Sequence, residues 1–221
     1  MLNVIYEDNH LLVVEKPVNI LSQGDNTNDD DMVNLLKKYL KEKYNKPGNV
    51  FVGLVHRLDR PVGGIMIFAK TSKAASRLSE QVRNKTFKKT YKAVLHGEMK
   101  KKQDNLSDYL YKAKKTNMVS VVNKNHKDAK DAKLSYKTLA SNNGFSIVEI
   151  DLQTGRPHQI RVQFSSRNHP LYGDQRYGKN VNKKGQQIAL WSYKIEIEHP
   201  TKKEKMEFVC EPPNKYPWNM F

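Results

Sequence analysis

Hydrophobic and polar positions alternate in several short runs of this chain, which is the pattern of β-strands. Residues 4–7 and 11–14 flank the polar Asp8-Asn9-His10, so they predict a hairpin that ends at Lys16-Pro17. The same pattern predicts further strands at residues 51–55, 65–69, 91–95, 134–139, 145–152, 188–197 and 205–210. Because most of these strands follow one another as hairpins, we expect an α+β fold with a large, mainly antiparallel sheet.

A helical spacing of apolar residues appears at three places. Asn28 to Asp31 offer N-cap residues to a first helix, whose apolar positions are Met32, Leu35, Leu36, Tyr39 and Leu40. Ser72 is the predicted cap of a second helix, whose buried stripe is Ala75, Leu78 and Val82. Residues 158–165 predict a third, with Ile160 and Phe164 inward and Arg161 in its first turn.

Composition indicates a folded protein with a polyanionic partner. The 221 residues are 38% hydrophobic and 28% charged, which suits one large domain or two small ones. The 39 Lys and Arg exceed the 23 Asp and Glu, giving a net charge of +16, and this favours nucleic acid over a membrane surface. No apolar run approaches the ~20 residues that a spanning helix needs.

The cysteine and histidine pattern argues against disulfide and metal chemistry. Cys210 is the single cysteine, so no internal disulfide can form, and a reducing cytoplasm is expected. It lies in a strand-like run and is interpreted as a small core residue. His56, His158 and His169 lack metal-ligand spacing, so we expect them to act as hydrogen-bonding loop residues. No metal and no other cofactor are predicted.

Residues 99–133 are rich in lysine, and Tyr109-Leu110-Tyr111 interrupts the charge. Lysines can follow an RNA backbone while aromatic rings stack on unpaired bases. A solvated insertion explains the same composition equally well, and both interpretations stay open.

The strongest candidate for chemistry is the stretch from Leu54 to Ala69, where a His-Arg-Leu-Asp-Arg cluster stands between two apolar runs. Asp59 is presented by a turn containing Pro61 and two glycines, and we expect Arg57 and Arg60 to keep it ionised. An ionised carboxylate serves as a nucleophile or base. A turn cap or a structural ion pair is the alternative that the residues themselves leave open.

His56-Arg57-Leu58-Asp59, followed by Gly64, resembles the signature of the RluA-type RNA pseudouridine synthases, in which the aspartate is catalytic. The other stretches that match in the family's order are residues 6–17, 89–93, 154–161 with 169–174, and 188–200. The resemblance therefore covers nearly the whole chain. One departure lies in the first motif, where Val62-Gly63 replaces the family's usual Thr-Ser.

The resemblance implies a pseudouridine synthase fold with a mixed sheet, flanking helices and a central RNA-binding cleft. It implies isomerisation of uridine to pseudouridine in ribosomal or transfer RNA, with Asp59, Tyr91 and Arg161 as the catalytic residues. We expect Arg161 to pair with Asp59. Its implied substrate-binding residues are His56, Arg57, Arg60, Arg156, His158 and Leu190. Residues 1–221 are expected to form a single catalytic domain without a separate N-terminal RNA-binding domain, and to be monomeric and cytoplasmic.

Two other functions compete with this one. One is a non-catalytic RNA-binding protein that kept the fold. The other is a glycoside or nucleoside hydrolase that pairs Asp59 with Asp151 or Asp174. We interpret Asp174, which follows Gly173 in a turn-like run, as structural support for the site.

Overall fold

The computed structural model describes residues 2–27 and 29–221, which fold as two compact units. The first unit combines the stretch up to Lys89 with Ser192–Glu211, and the second combines Thr90–Trp191 with Pro212–Phe221. The described residues contain eleven strands and three α-helices, so the predicted α+β class is confirmed.

The first unit is built on the predicted N-terminal hairpin. Its strands are β1 (Asn3–Glu7), β2 (Leu11–Lys16), β3 (Gly53–Leu54), β4 (Gly63–Ala69), β10 (Leu190–Glu198), which enters this unit at Ser192, and β11 (Lys205–Val209). They are ordered β1-β2-β4-β10, with β3 beside β4 and β11 beside β10. The ladders β1–β2, β2–β4, β3–β4 and β10–β11 are antiparallel. All seven residues of β4 are buried, so the strand that follows the Asp59 loop lies in the core.

Two helices belong to the first unit. Helix α1 (Met32–Lys43) is capped by Asp31, whose carboxylate accepts a hydrogen bond from the backbone of Asn34 at 3.1 Å, as predicted. Asn28, part of the same predicted cap, lies outside the described residues. Helix α2 (Ser72–Arg83) is capped by Thr71, so the prediction of Ser72 as its cap is wrong by one residue. Its most buried side chains are Ala74 and Leu78; Ala75 and Val82 are only half-buried.

The second unit is a strand meander that carries one short helix. Its elements are β5 (Lys88–His96), which enters this unit at Thr90, β6 (Gln103–Lys112), β7 (Val119–Val122), β8 (Lys130–Asn142), β9 (Phe145–Leu152) and α3 (Gln159–Ser165). The strand order is β5-β9-β8-β6-β7, and every ladder between these neighbours is antiparallel. The predicted β8–β9 turn is confirmed, with Asn143 and Gly144 both at positive φ.

The lysine-rich stretch 99–133 forms all of β6, all of β7 and the start of β8. Its buried positions are Leu106, Leu110, Val119 and Ala132, and its lysines lie on the exposed side. At the C-terminus, residues 212–217 are not helical, and a 3₁₀ turn (Trp218–Met220) follows them.

Candidate active site

The loop that carries Asp59 alternates buried and accessible side chains. His56 and Leu58 are buried, Arg57 is exposed, and Asp59 is half-buried. The backbone N–H of Val62 donates to the carbonyl of Asp59 at 2.9 Å, which closes a turn at the aspartate. The turn therefore holds the side chain of Asp59 in a fixed position.

A fully buried lysine lies beneath this turn. The ammonium of Lys16 donates to the carbonyl oxygens of Pro17 at 2.9 Å, Arg60 at 3.1 Å and Val62 at 2.8 Å. Three donors meet three acceptors, so every N–H bond of the ammonium is used. Burial lowers the pKa of Lys16 to about 7, while attraction to the Asp59 carboxylate acts to raise it and the charge of Arg60 acts to lower it. Lys16 fixes the loop backbone at Arg60 and Val62, on both sides of Pro61.

Ser22 holds the other side of the loop. Its hydroxyl donates to the carbonyl of Leu58 at 2.8 Å and accepts from the backbone N–H of Leu58 at 3.0 Å. The residue immediately before Asp59 is therefore bonded at both its backbone polar groups.

His56 supports the loop from within the core. Its Nε2 accepts a hydrogen bond from the backbone N–H of Ile67 at 3.0 Å, so the proton of the neutral ring is assigned to Nδ1. Burial, together with the nearby charge of Lys89, lowers the pKa of His56 to about 3. The ring packs against Phe87 with centroids 5.1 Å apart. These contacts make His56 a neutral structural residue; its contact with substrate stays a prediction.

The two arginines of the motif differ in their contacts, and their predicted action on Asp59 stays a prediction. Arg60 forms an ion pair with Asp29 at 2.7 Å and donates to the carbonyl of Asn19 at 3.2 Å. The side chain of Arg57 is exposed and makes no hydrogen bond or ion pair with the residues that the structure describes. The buried cation next to this loop is Lys16, which the sequence analysis did not assign to the site.

Gly64 is required where the loop enters β4. Its φ is +111°, and a Cβ added there would lie 2.3 Å from the backbone oxygen of Ser192. Val62, which stands where the family has a hydroxyl, is 2% exposed. An apolar side chain therefore occupies this position, while Lys16 and Ser22 bond the loop backbone.

In the second unit, Arg161 of α3 forms a buried pair with Asp174. Its Nε donates to Oδ2 and its Nη2 to Oδ1, both at 2.8 Å, which is the two-bond geometry of a fixed partner. The same carboxylate accepts from the backbone N–H groups of Arg176 and Tyr177. Although burial acts to raise the pKa of Asp174, Arg161 and these N–H groups outweigh it and lower the pKa. The predicted structural role of Asp174 is confirmed, and it is unsuited to be the proton donor of a hydrolase.

A chain of amide side chains joins α3 to β8. Gln159 accepts from the Thr154 hydroxyl at 2.8 Å, and its amide donates to the Lys133 carbonyl at 3.1 Å and to Gln163 at 3.0 Å. Gln163 in turn donates to Asp108 of β6 at 2.7 Å. The Thr-Gly-Arg-Pro-His-Gln-Ile-Arg block is therefore largely a scaffold that orients the helix bearing Arg161.

Arg156 and His158, both predicted to bind substrate, are engaged within the second unit. Arg156 donates to the carbonyl and the carboxylate of Asp131, each at 2.8 Å. His158 Nδ1 lies 2.7 Å from the hydroxyl of Tyr177, whose ring lies beneath the guanidinium of Arg161 at 5.2 Å. These bonds give both residues a supporting role, and their contact with RNA stays a prediction.

Tyr91 lies on β5 directly opposite Ile150 of β9, and it is 6% exposed. The neighbouring Thr90 donates its hydroxyl to Asp151 at 3.0 Å, so the carboxylate proposed for a hydrolase is bonded within the sheet. Leu190, at the start of β10, is 5% exposed. Both predicted pocket residues are thus buried side chains, Tyr91 within β5 and Leu190 at the start of β10.

Residues 2–27 and 29–221 contain neither a metal-binding cluster nor a membrane-spanning helix. No group of three or more His, Cys, Asp or Glu side chains is placed to hold a metal ion there. None of the helices in these ranges has the length and apolar character needed to cross a bilayer. The thiol of Cys210 is buried, in agreement with its interpretation as a core residue.

Comparison with known sequences identifies the family. A family described as RNA pseudouridylate synthase matches residues 10–166. The chain is 33% identical over 215 residues to an uncharacterized RNA pseudouridine synthase of Bacillus subtilis, covering 96% of this chain and 68% of the relative. It is 32% identical over 212 residues to the ribosomal large subunit pseudouridine synthase C of Buchnera aphidicola, covering 92% and 65%. It is also 32% identical over 218 residues to the ribosomal large subunit pseudouridine synthase D of Borreliella burgdorferi, covering 96% and 66%.

Solved structures support the same fold. Human RNA pseudouridylate synthase domain containing 4 superposes with a TM-score of 0.79 at 20% identity, covering 96% of this chain and 88% of that one. Human RNA pseudouridylate synthase domain containing 1 gives 0.77 at 22% identity, covering 98% and 85%. The predicted pseudouridine synthase fold is confirmed. The chain belongs to the RNA pseudouridine synthase family and is an RNA-modifying isomerase.

Proposed function

We propose that Asp59 is the catalytic carboxylate that isomerises uridine to pseudouridine at specific positions of a structured RNA. The observation that carries this proposal is the support of its loop. Asp59 is half-buried on a turn whose backbone is fixed by Lys16 and Ser22, and the buried ammonium of Lys16 attracts its carboxylate. A fixed carboxylate near a buried cation is suited to act in its ionised form.

The reaction detaches the uracil from the ribose, turns it and reattaches it through carbon 5. Asp59 acts on the ribose, either by attacking the anomeric carbon or by removing a proton from the neighbouring carbon. In either route the base stays bound while it turns, so water must be kept from the open sugar. The uridine is flipped out of its stack or taken from a loop, since its reacting atoms are hidden in a helix.

The roles of the remaining residues follow from their chemistry. Tyr91 packs against the uracil and assists removal of the proton from carbon 5, while Leu190 walls the pocket. Arg161, oriented by Asp174, pairs with Asp59 through its remaining donors and keeps it aimed. Arg57, exposed on the Asp59 loop, fills the gap that the extruded base leaves in the RNA. In this proposal the whole chain acts as one catalytic domain and works as a monomer.

Ribosomal RNA is the substrate class that we favour over transfer RNA. Two of the relatives are named for the ribosomal large subunit, which supports that choice. The lone Cys210 fits a reducing cytoplasm, where this RNA is made.

The exposed lysines of β6–β8 and their connections supply the phosphate contacts. They are Lys112, Lys114, Lys115, Lys124, Lys127 and Lys130. Tyr111 and His126 lie among them with ring centroids 4.5 Å apart, a surface on which an unpaired base can stack. We expect RNA binding by this surface to weaken as salt is raised.

The decisive experiment uses the full chain with Asp59→Asn, which keeps the size of the side chain and removes its charge. Unmodified ribosomal RNA is incubated with each protein, and pseudouridine is mapped by carbodiimide-dependent reverse-transcriptase stops. We expect wild type to produce one or a few stops and D59N to lose at least about 100-fold in rate, as for removal of an essential acid–base group. Asp29→Asn, on the partner of Arg60, is the matched control and keeps its activity.

RNA affinity, measured by filter binding, separates the rivals. If wild type binds RNA but never forms pseudouridine, the protein is an RNA-binding member of the fold. If D59N retains full activity, Asp59 is not the catalytic carboxylate.

A further inference from the structure

A cavity of about 200 Å³ opens in the second unit, between the C-terminal end of α3 and the β6–β8 ladder. Its lining residues are Met99, Lys100, Lys101, Asp104, Leu106, Tyr136, Phe164, Arg167 and His169. Neither Tyr91 nor Arg161 is among them, so the cavity is separate from the residues of this unit proposed for catalysis. It is smaller than the ~300 Å³ of a typical drug-sized pocket, which limits its occupant to a small group such as one nucleotide base.

The floor of the cavity is aromatic. Tyr136 of β8 and Phe164 of α3 meet edge to face, with ring centroids 5.3 Å apart and an interplanar angle of 63°. Phe164 is 1% exposed and Leu106 beside it is 4% exposed, so this side of the cavity is dry and fixed. Such a floor suits a flat ring better than a hydrated ion.

The hydroxyl of Tyr136 is the polar group of this floor. The side chain is buried, at 6% exposure, and its hydroxyl makes no hydrogen bond within the described residues 2–27 and 29–221. Burial raises the pKa of Tyr136, so the hydroxyl keeps its proton. The hydroxyl is open to the cavity and is therefore available to bond a group bound there.

The rim of the cavity carries three cationic side chains, two of which form ion pairs. Lys101 pairs with Asp104 at 2.8 Å, and Arg167 forks onto Asp108 at 2.9 and 3.1 Å. Lys100 is exposed and has no ion pair with the residues that the structure describes. The rim is therefore suited to an anion.

The rim also carries acceptors. His169 Nδ1 lies 2.9 Å from the carbonyl of His96, so in the neutral ring it is the donor there and Nε2 is left as an acceptor. The Asp104 carboxylate accepts from Lys101 and keeps lone pairs for a second donor. A ligand for this cavity should combine N–H donors on a flat ring with a negative charge, and inorganic phosphate offers only the charge.

We propose that this cavity binds a phosphate-bearing nucleotide, with the base against Tyr136 and the phosphate at Lys100. The nucleotide is a unit of an RNA chain or a free mononucleotide, since both present the same chemistry. In the first case the cavity holds an unpaired nucleotide away from the target uridine and adds affinity to the isomerase.

The test is a titration of the ¹⁵N-labelled full chain, followed by amide chemical shifts of Lys100, Asp104 and Arg167. The probes are uridine 5′-monophosphate, an oligouridylate and inorganic phosphate. We expect a nucleotide probe to shift these amide signals and inorganic phosphate to leave them nearly unchanged.

Lys100→Glu should weaken nucleotide binding more than about 10-fold by reversing the rim charge. Tyr136→Phe should weaken it about 5-fold through loss of one hydrogen bond. Lys184→Glu, an exposed lysine that does not line the cavity, is the control and should change it less than about 2-fold.

The probes distinguish the sources. Equal affinity for the mononucleotide and the oligouridylate supports a free-nucleotide site, and binding of the oligouridylate alone supports a unit of RNA. Absence of shifts with both nucleotide probes overturns the proposal, and so does an equal response to inorganic phosphate that Tyr136→Phe leaves unchanged. The same preparations are assayed for pseudouridine formation. A protein that isomerises uridine without cavity shifts fails only this proposal, and one that shows the shifts without isomerisation fails only the proposed function.

Discussion

Each of the two units contains a buried cation of the proposed site. Lys16 supports the loop of Asp59, Arg161 is itself a proposed catalytic residue, and the two cations have different hydrogen-bond partners. Lys16 in the first unit donates to three backbone carbonyls. Arg161 in the second donates to the carboxylate of Asp174 through two parallel bonds. Carbonyls satisfy the donors of an ammonium but carry no formal charge, whereas Asp174 neutralises its guanidinium.

The difference assigns the two cations different work. The charge of Lys16 is not cancelled by its own hydrogen bonds, so it remains available to the Asp59 carboxylate next to it. Arg161 is nearly neutral as a pair and instead offers a rigid set of donors. Lys16 thus acts on Asp59 through its charge, and Arg161 contributes hydrogen-bond donors in a fixed geometry.

The largest expected effect comes from breaking the pair in the second unit. Asp174→Asn removes the charge that Asp174 places against the buried guanidinium of Arg161, and we expect a loss of about 3–5 kcal/mol in the free energy of unfolding. Asp131→Asn is the matched control, because Asp131 also pairs with an arginine but is half exposed. That control should cost less than about 1 kcal/mol. Urea unfolding of both variants gives the comparison, and equal losses would show that burial does not matter to the pair.

A smaller effect is expected from removing the cation of the first unit. Lys16→Met takes a donor from three carbonyls, of which that of Arg60 still accepts from the backbone N–H of Asn19. Partly offset by relief from burying a charge, this loss should cost about 2 kcal/mol in the free energy of unfolding. Because two of the carbonyls belong to Arg60 and Val62 of the Asp59 turn, pseudouridine formation should fall more than about 10-fold even where the variant is fully folded. Lys37→Met, on the exposed face of α1, is the control and should leave both quantities unchanged. Full activity in folded Lys16→Met would contradict the support that we assign to Lys16.

The smallest effect is a pH dependence of the free energy of unfolding, to which Lys16 should contribute and Arg161 should not. Its pKa is about 7 in the native chain and 10.5 in its ordinary state, so between these values the unfolded chain holds a proton that the native chain has lost. The free energy of unfolding of wild type should therefore rise relative to Lys16→Met by about 1 kcal/mol per pH unit above pH 7. Arg161 stays charged throughout and adds no such slope. Urea unfolding of both proteins between about pH 6 and pH 9 measures the difference, and a constant difference would rule out the lowered pKa.

Local patterns in the sequence were sufficient to predict the main elements of the candidate site. The Asp59 turn follows from Pro61 and the glycines around it, and α3 with Arg161 in its first turn follows from the spacing of Ile160 and Phe164. The structural role of Asp174 also followed from its turn-like setting. In each case the residues that determine the structure are neighbours in sequence.

Contacts between distant residues could not be predicted in this way. Lys16 bonds to residues 44 and 46 positions away, so nothing near it in sequence marks it as part of the Asp59 loop. Its one signal is a charged residue at the end of an otherwise apolar strand. The helix cap was misplaced because Thr71 and Ser72 are both good N-caps and the pattern cannot choose between them. The lysine-rich strands were missed because their few buried positions are widely spaced among charges.

The close approach at Gly64 has a consequence for how this sequence can drift. Any side chain there would run into the backbone of Ser192, and a Cβ added at Gly173 would likewise lie 2.2 Å from the backbone oxygen of Gln187. A neighbouring strand or loop cannot retreat from such a collision without giving up its own hydrogen bonds. We therefore expect no other residue at Gly64 or Gly173. Val62 and Gly63, which precede Gly64, already differ from the Thr-Ser that is usual in the family. In a library that carries every substitution at each position and is scored for folding, these two glycines should tolerate no replacement. Positions around Asp59 whose side chains do not face another backbone should tolerate replacement without loss of the fold.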